Sequence, residues 1–121
     1  MRRADRLTAL AALAGARRDA DLAQLAAVAV RLCGVLSARD QMDAALAREI
    51  TVVQSDPELP ILKMLDAHII LAERARGSLE TQIARLAGEK EQQRHLCATS
   101  FGRADVLNRL RLQSKAPRQN R

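Results

Sequence analysis

Ser55-Asp56-Pro57-Glu58-Leu59-Pro60 is the stretch that decides how this chain folds. Two prolines so close together end a helix, because each lacks an amide donor and its ring clashes with the preceding turn. Ser55 or Asp56 can cap a following helix, with Pro57 in its first turn. Pro60 is compatible with that helix only if it too lies in the first turn. The break falls near the middle of the 121 residues.

Outward from the break, both flanks read as long helices. No proline occurs between Ala4 and Gln54, and Gly15 and Gly34 are the only glycines there. Each glycine costs about 1 kcal/mol relative to alanine, which softens this arm without ending it. Its apolar residues fall on two lines seven residues apart, Leu22, Ala29, Leu36, Asp43, Ile50 and Leu25, Leu32, Arg39, Leu46, Val53. Offsets of three and four put both lines on one face. Arg39 and Asp43 interrupt that face, and Val35 and Met42 lie one step around it.

The second arm is more regular. Leu62, Leu65, Ile69, Ala72, Arg76, Leu79, Ile83, Leu86, Lys90, Gln93, Cys97, Ser100, Ala104 and Leu107 keep a repeat of 3.5 residues. Such a repeat implies supercoiling against a partner helix. Two seamed arms of similar length joined by a short loop predict an all-α chain whose two long helices form an antiparallel coiled-coil hairpin. Arm one covers about residues 4–54, the turn 55–60 and arm two about 58–113, with a turn centre at 57 that sets residue i beside residue 114 − i. Leu7 then meets Leu107, and Leu32 meets Gln82 and Ile83. A trimer or a paired hairpin buries the same seams, so the chain reads as a monomer or a self-associating hairpin. Residues 114–121, with Pro117 and no apolar period, read as a disordered basic tail.

Composition agrees with this reading. Phe101 is the only aromatic residue, whereas compact cores draw heavily on rings. A two-helix seam offers no deep concave pocket of the kind that holds small molecules, so the expected activity is binding rather than catalysis, with no cofactor. No unbroken apolar run reaches the length of a membrane span. The longest, Leu25 to Leu36, contains Arg31, so no stable membrane insertion is expected. Arg2 and Arg3 before Leu7 to Ala16 superficially resemble a signal peptide, but Asp5, Arg6 and the alanine-rich run favour the first turns of a helix. Cys33 and Cys97 lack metal-ligand spacing and fall at different heights of the hairpin, consistent with reduced cytoplasmic thiols. His68 and His95 lie about 180° apart on their helix and cannot share a metal. No carboxylate or cysteine stands in ligand register with His68, which reads as a packing residue.

Charge is distributed unevenly. Residues 1–6 carry a net charge of +2, residues 103–121 carry +5, and the 96 residues between them carry −1. The hairpin brings the two basic segments to the same end. A focused positive field attracts an acidic surface or a phosphate backbone. Arg2, Arg3, Arg6, Arg103, Arg109 and Arg111 are the candidate contacts. Phe101 reads either as the cap of the seam or as a hot spot for a partner.

A basic-ended hairpin rich in Ala, Leu, Arg and Gln resembles the FliJ family of flagellar export stalk proteins, which have counterparts in virulence type III secretion. Locally the likeness is carried by Leu71-Ala-Glu-Arg-Ala-Arg-Gly-Ser-Leu-Glu80 and Phe101-Gly-Arg-Ala-Asp-Val-Leu-Asn-Arg-Leu110. The resemblance implies a non-catalytic bacterial stalk or adaptor. Its open end, with Arg2, Arg3, Arg6, Phe101, Arg103, Arg109 and Arg111, would enter a hexameric export ATPase. Its distal tip, with Asp56, Pro57, Glu58 and Pro60, would face the membrane export gate. The location implied is cytoplasmic, peripheral at the inner face of the cell membrane. The competing readings are a nucleic-acid-binding protein or a general coiled-coil scaffold using the same basic ends. Against nucleic acid stands the lack of stacking aromatics and of a recognisable reading motif. An interfacial membrane role for Leu7 to Ala14 lacks an aromatic anchor.

Overall fold

A computed structural model describes residues 2–55 and 59–115, the side chains of 59–63 excepted. Two helices account for them, α1 (Arg3–Ser55) and α2 (Leu59–Lys115), and Arg2 is the only described residue outside a helix. The Arg2 carbonyl accepts the Asp5 and Arg6 amides, both at 3.1 Å, which opens α1. Pro60 falls in the first turn of α2, where its missing donor costs nothing. The helices pack against each other as the expected all-α hairpin. α2 runs to Lys115, two residues into the segment expected as tail. Residues 116–121 lie outside the described residues, as do Asp56, Pro57 and Glu58 of the expected tip.

The chain divides into two compact units, residues 1–28 with 89–121 (unit 1) and residues 29–88 (unit 2). In each, a piece of α1 runs antiparallel to a piece of α2. The seam of α2 is the expected one except at Arg76, which is exposed, and the side chain of Leu62 lies outside the described ones. Leu65, Ile69, Ala72, Leu79, Ile83, Leu86, Lys90, Gln93, Cys97, Ser100, Ala104 and Leu107 are all buried or half-buried.

The seam of α1 differs from expectation at Leu22. The line through Leu25, Leu32, Arg39, Leu46 and Val53 holds, and Ala29, Leu36, Asp43 and Ile50 of its companion are half-buried, but toward the start of the helix the companion runs through Leu7, Ala14, Asp21 and Val28, with Val35 and Met42 also half-buried. Leu22 is 46% exposed, whereas Asp21 is 8% and Val28 3% exposed. Apolarity alone favours Leu22. A polar partner on the other arm reverses the choice, because the Ser100 hydroxyl donates to the Asp21 carboxylate in the seam. The register moves with the seam. Arg39 pairs with Glu80, Asp43 with Arg76, Glu49 with His68, and Arg18 with Phe101. These numbers sum to 117 or 119 rather than 114.

Arg39 and Asp43, which interrupt the α1 seam of unit 2, are answered across it. Arg39 Nη1 lies 3.6 Å from Glu80 Oε1, and Arg76 Nη1 lies 3.6 Å from Asp43 Oδ1. Arg76 and Glu80 are exposed and Arg39 and Asp43 half-buried, so each pair is worth no more than about 1 kcal/mol. Arg76 and Glu80 also approach within 4.0 Å on one helix face. Changing Arg39 and Asp43 together to leucine therefore leaves no stranded buried charge and adds apolar seam. The double variant should be about 1–2 kcal/mol more stable. A thermal melt followed by circular dichroism checks this, and a lower midpoint would show that the ion pairs hold the seam.

The core is thin. Among the described residues its buried apolar members are Val28, Val53, Leu86, Cys97 and Ala104, and none is fully enclosed. Large aliphatic side chains face solvent, Leu13 at 68% and Val30 at 71% among them. α1 contains an 18-residue window with mean hydropathy 1.5, of which 11% is buried, and by length and composition it could cross a bilayer. Alanines and leucines on both sides of Arg31 keep the average high although no run is unbroken.

Candidate functional site

Unit 1 holds both basic segments. It contains 13 basic and 6 acidic side chains, a net charge of +7, while unit 2 has 7 basic and 8 acidic, a net charge of −1. The positive charge thus belongs to one compact unit, as the hairpin reading requires.

The seven candidate residues of that unit do not form one patch. Arg2 precedes α1 and Arg3 and Arg6 lie in its first two turns. Cations there oppose the helix dipole, and Asp5 is the one acid in the first turn. Arg109 Nη2 is bound to Asp105 Oδ2 at 2.9 Å. Arg111 is half-buried and donates to Asn108 Oδ1 from Nη2 at 2.8 Å. Arg103 is exposed, and among the described residues Arg3, Arg6 and Arg103 form no salt bridge.

Two shallow grooves, one on each side of the seam, separate these residues. On one side Ala11, Gly15, Arg18, Phe101, Ala104, Asp105 and Asn108 line about 350 Å³. Phe101 is 45% exposed there, and the Arg18 guanidinium stands 5.7 Å from its ring centroid, a cation–π contact worth about 0.5–1 kcal/mol. Phe101 therefore flanks the seam, whose own positions are Ser100 and Ala104. On the other side Ala14, Gly102, Arg103, Val106 and Leu107 line a groove of similar volume. Arg103 and Phe101 open onto opposite sides.

Further along the seam of unit 1 lies a polar layer that apolar patterning does not predict. Asp21 accepts the Ser100 hydroxyl and the Arg17 Nε–H, the latter at 3.3 Å. Gln93 Nε2 donates to the Asp21 backbone carbonyl at 3.1 Å. Polar seam positions at Gln93 and Ser100 on α2 were the available signal, since buried polar groups require partners. Cys97 is buried in the same part of the seam, and Cys33 of unit 2 is exposed.

Unit 2 contains a feature that sequence reading missed. Ala45, Arg48, Glu49, Val52, Val53, Met64, Leu65 and His68 line an open groove of about 490 Å³. His68 Nδ1 is 3.1 Å from Glu49 Oε2 at its edge. A carboxylate on the other arm thus does meet His68, contrary to expectation, because the register shift aligns the two. Pro60 of the expected tip has no described side chain.

No family model, curated protein or solved structure matches this chain.

Proposed function

We propose that this chain is a non-catalytic helical-hairpin adaptor whose basic unit engages an acidic protein surface. The partner that the resemblance to export stalks points to is a hexameric flagellar or type III export ATPase, with the membrane export gate as a second contact. The reading is supported above all by the segregation of charge, +7 in unit 1 against −1 in unit 2. Among the described residues Arg3 and Arg6 sit at the positive end of α1 without a carboxylate partner, an arrangement that costs helix stability and is offset when an acidic partner binds. Electrostatic complementarity of this kind gives specificity and fast association.

The test is capture of a hexameric export ATPase by the wild-type chain and by the R103E/R109E/R111E triple variant. The variant should stay helical and lose about tenfold or more in affinity, with binding by the wild type weakening as salt rises. Absence of ATPase capture combined with tight, salt-sensitive DNA binding would replace this reading with the nucleic-acid one.

A further inference from the structure

One side of unit 1 is apolar and carries a single acid, Glu89, at the limit of the unit. Along α1, Arg3, Arg6, Leu10, Leu13 and Arg17 follow one another at offsets of three and four, and so share a face. Along α2, Arg103, Val106 and Leu110 do the same. The groove lined by Ala14, Gly102, Arg103, Val106 and Leu107 lies between these two stripes. Leu10 stands one turn from Ala14, and Leu110 one turn from Val106 and Leu107. Leu10 is 48% exposed, Leu13 68%, Val106 54% and Leu110 39%.

The other acids of unit 1 are elsewhere. Asp5, Asp19, Glu91 and Asp105 each follow directly after a seam residue, at Ala4, Arg18, Lys90 and Ala104. That heptad position belongs to the Phe101 side, where Asp105 lines the other groove. Asp21 is buried in the seam. Glu89, at the limit of unit 1, is the one carboxylate in register with Arg103 and Leu110.

Gly102 adds a second observation. It sits inside α2 without a positive φ, and a Cβ placed on it would meet no packed neighbour within 4 Å, as at Gly34, Gly77 and Gly88. The packing of the hairpin does not call for a glycine there, although glycine disfavours helix. Of these four glycines, Gly102 is the one that lines this groove.

We propose that this side of unit 1 docks one acidic amphipathic helix of a partner protein. The helix lays leucine-type side chains between Leu10, Leu13, Val106 and Leu110, and its carboxylates meet Arg3, Arg6, Arg17 and Arg103. Recognition of this kind reads anchors at helical spacing in an apolar groove. The charge pattern disfavours a second copy of unit 1, which would bring a net +7 against +7. This docking side rests on the reading of an acidic protein partner and adds where that partner lies.

The probe is a dye-labelled synthetic helix about three heptads long, with leucine at the a and d positions and glutamate beside them, titrated by fluorescence anisotropy with the full chain. Wild type should bind it, and a lysine-for-glutamate version of the peptide should not bind. Val106→Glu and Gly102→Gln should each weaken binding about tenfold, while Glu91→Gln on the opposite side leaves it within about twofold. Gly102→Gln also raises the melting temperature, because glutamine is the better helix former, so its loss of binding cannot be ascribed to unfolding. Equal binding by all three variants overturns the proposal. So does binding of phosphatidylglycerol vesicles but not of the peptide, or a wild-type dimer in sedimentation that Val106→Glu dissociates. ATPase capture that survives Val106→Glu but not the arginine reversal removes this docking side and keeps the basic-unit reading. Side-specific peptide binding without ATPase capture keeps the side and removes the named partner.

Discussion

Leu86→Ala should destabilise the chain by about 2–5 kcal/mol, the range for deleting a buried leucine. Leu86 is 4% exposed at a seam position of α2 in unit 2, with Ile83 half-buried one turn earlier. The core has few such residues, and none of them is fully enclosed. A chain of this length has a total stability of roughly 6–18 kcal/mol, so one truncation removes a large part of it. Guanidinium denaturation followed by circular dichroism gives the midpoint and slope. The exposed Leu71→Ala, at 61% exposure, is the matched comparison and should cost under about 1 kcal/mol. Equal costs for the two would mean that the seam is not where the stability resides.

The second large effect is at Asp21, and its sign depends on what is changed with it. Asp21→Ala alone removes the acceptor of the Ser100 hydroxyl and the carboxylate beside Arg17. The stranded buried hydroxyl should cost about 1–3 kcal/mol. Asp21→Leu with Ser100→Leu removes both polar groups and fills the layer with apolar volume. That double variant should be as stable as wild type or more so, since replacing a buried polar set by packed hydrophobics is often neutral or favourable. What it should lose is register. With these two positions apolar and only Gln93 of the polar seam positions left, the α1 seam can also be read through Leu22 and Ala29, and a polar seam residue is often what specifies alignment. Spin labels placed at Cys33 and at a cysteine introduced at Thr81 read that alignment as a distance distribution. One narrow distribution in both proteins would show that the apolar seam sets register by itself.

The hairpin was legible in the sequence because its signals are local and redundant. Two prolines close together signal a break in the helical pattern, Pro60 lies in the first turn of α2, and the fourteen grid positions of the second arm keep their period to Leu107. The seam of the first arm was less legible. Alanine is abundant on every face of α1, so apolarity discriminates weakly between Leu22 and Asp21, and the choice is made by Ser100 and Gln93 79 and 72 residues away. The register of a hairpin inherits that error, which is why His68 meets Glu49 when neither residue alone suggests it. The charge segregation was read correctly from the ends of the chain, but the sidedness of unit 1 was not. Separating the Phe101 groove from the Arg103 groove requires both helices in alignment, since each groove takes residues from both.

The single ring at Phe101, held under the Arg18 guanidinium, has a further consequence for how this molecule meets light. With no tryptophan or tyrosine, the chain is nearly dark in the near ultraviolet. Any indole emission from a complex is then the partner's own, and its shift on binding reports directly whether a partner's ring has left water.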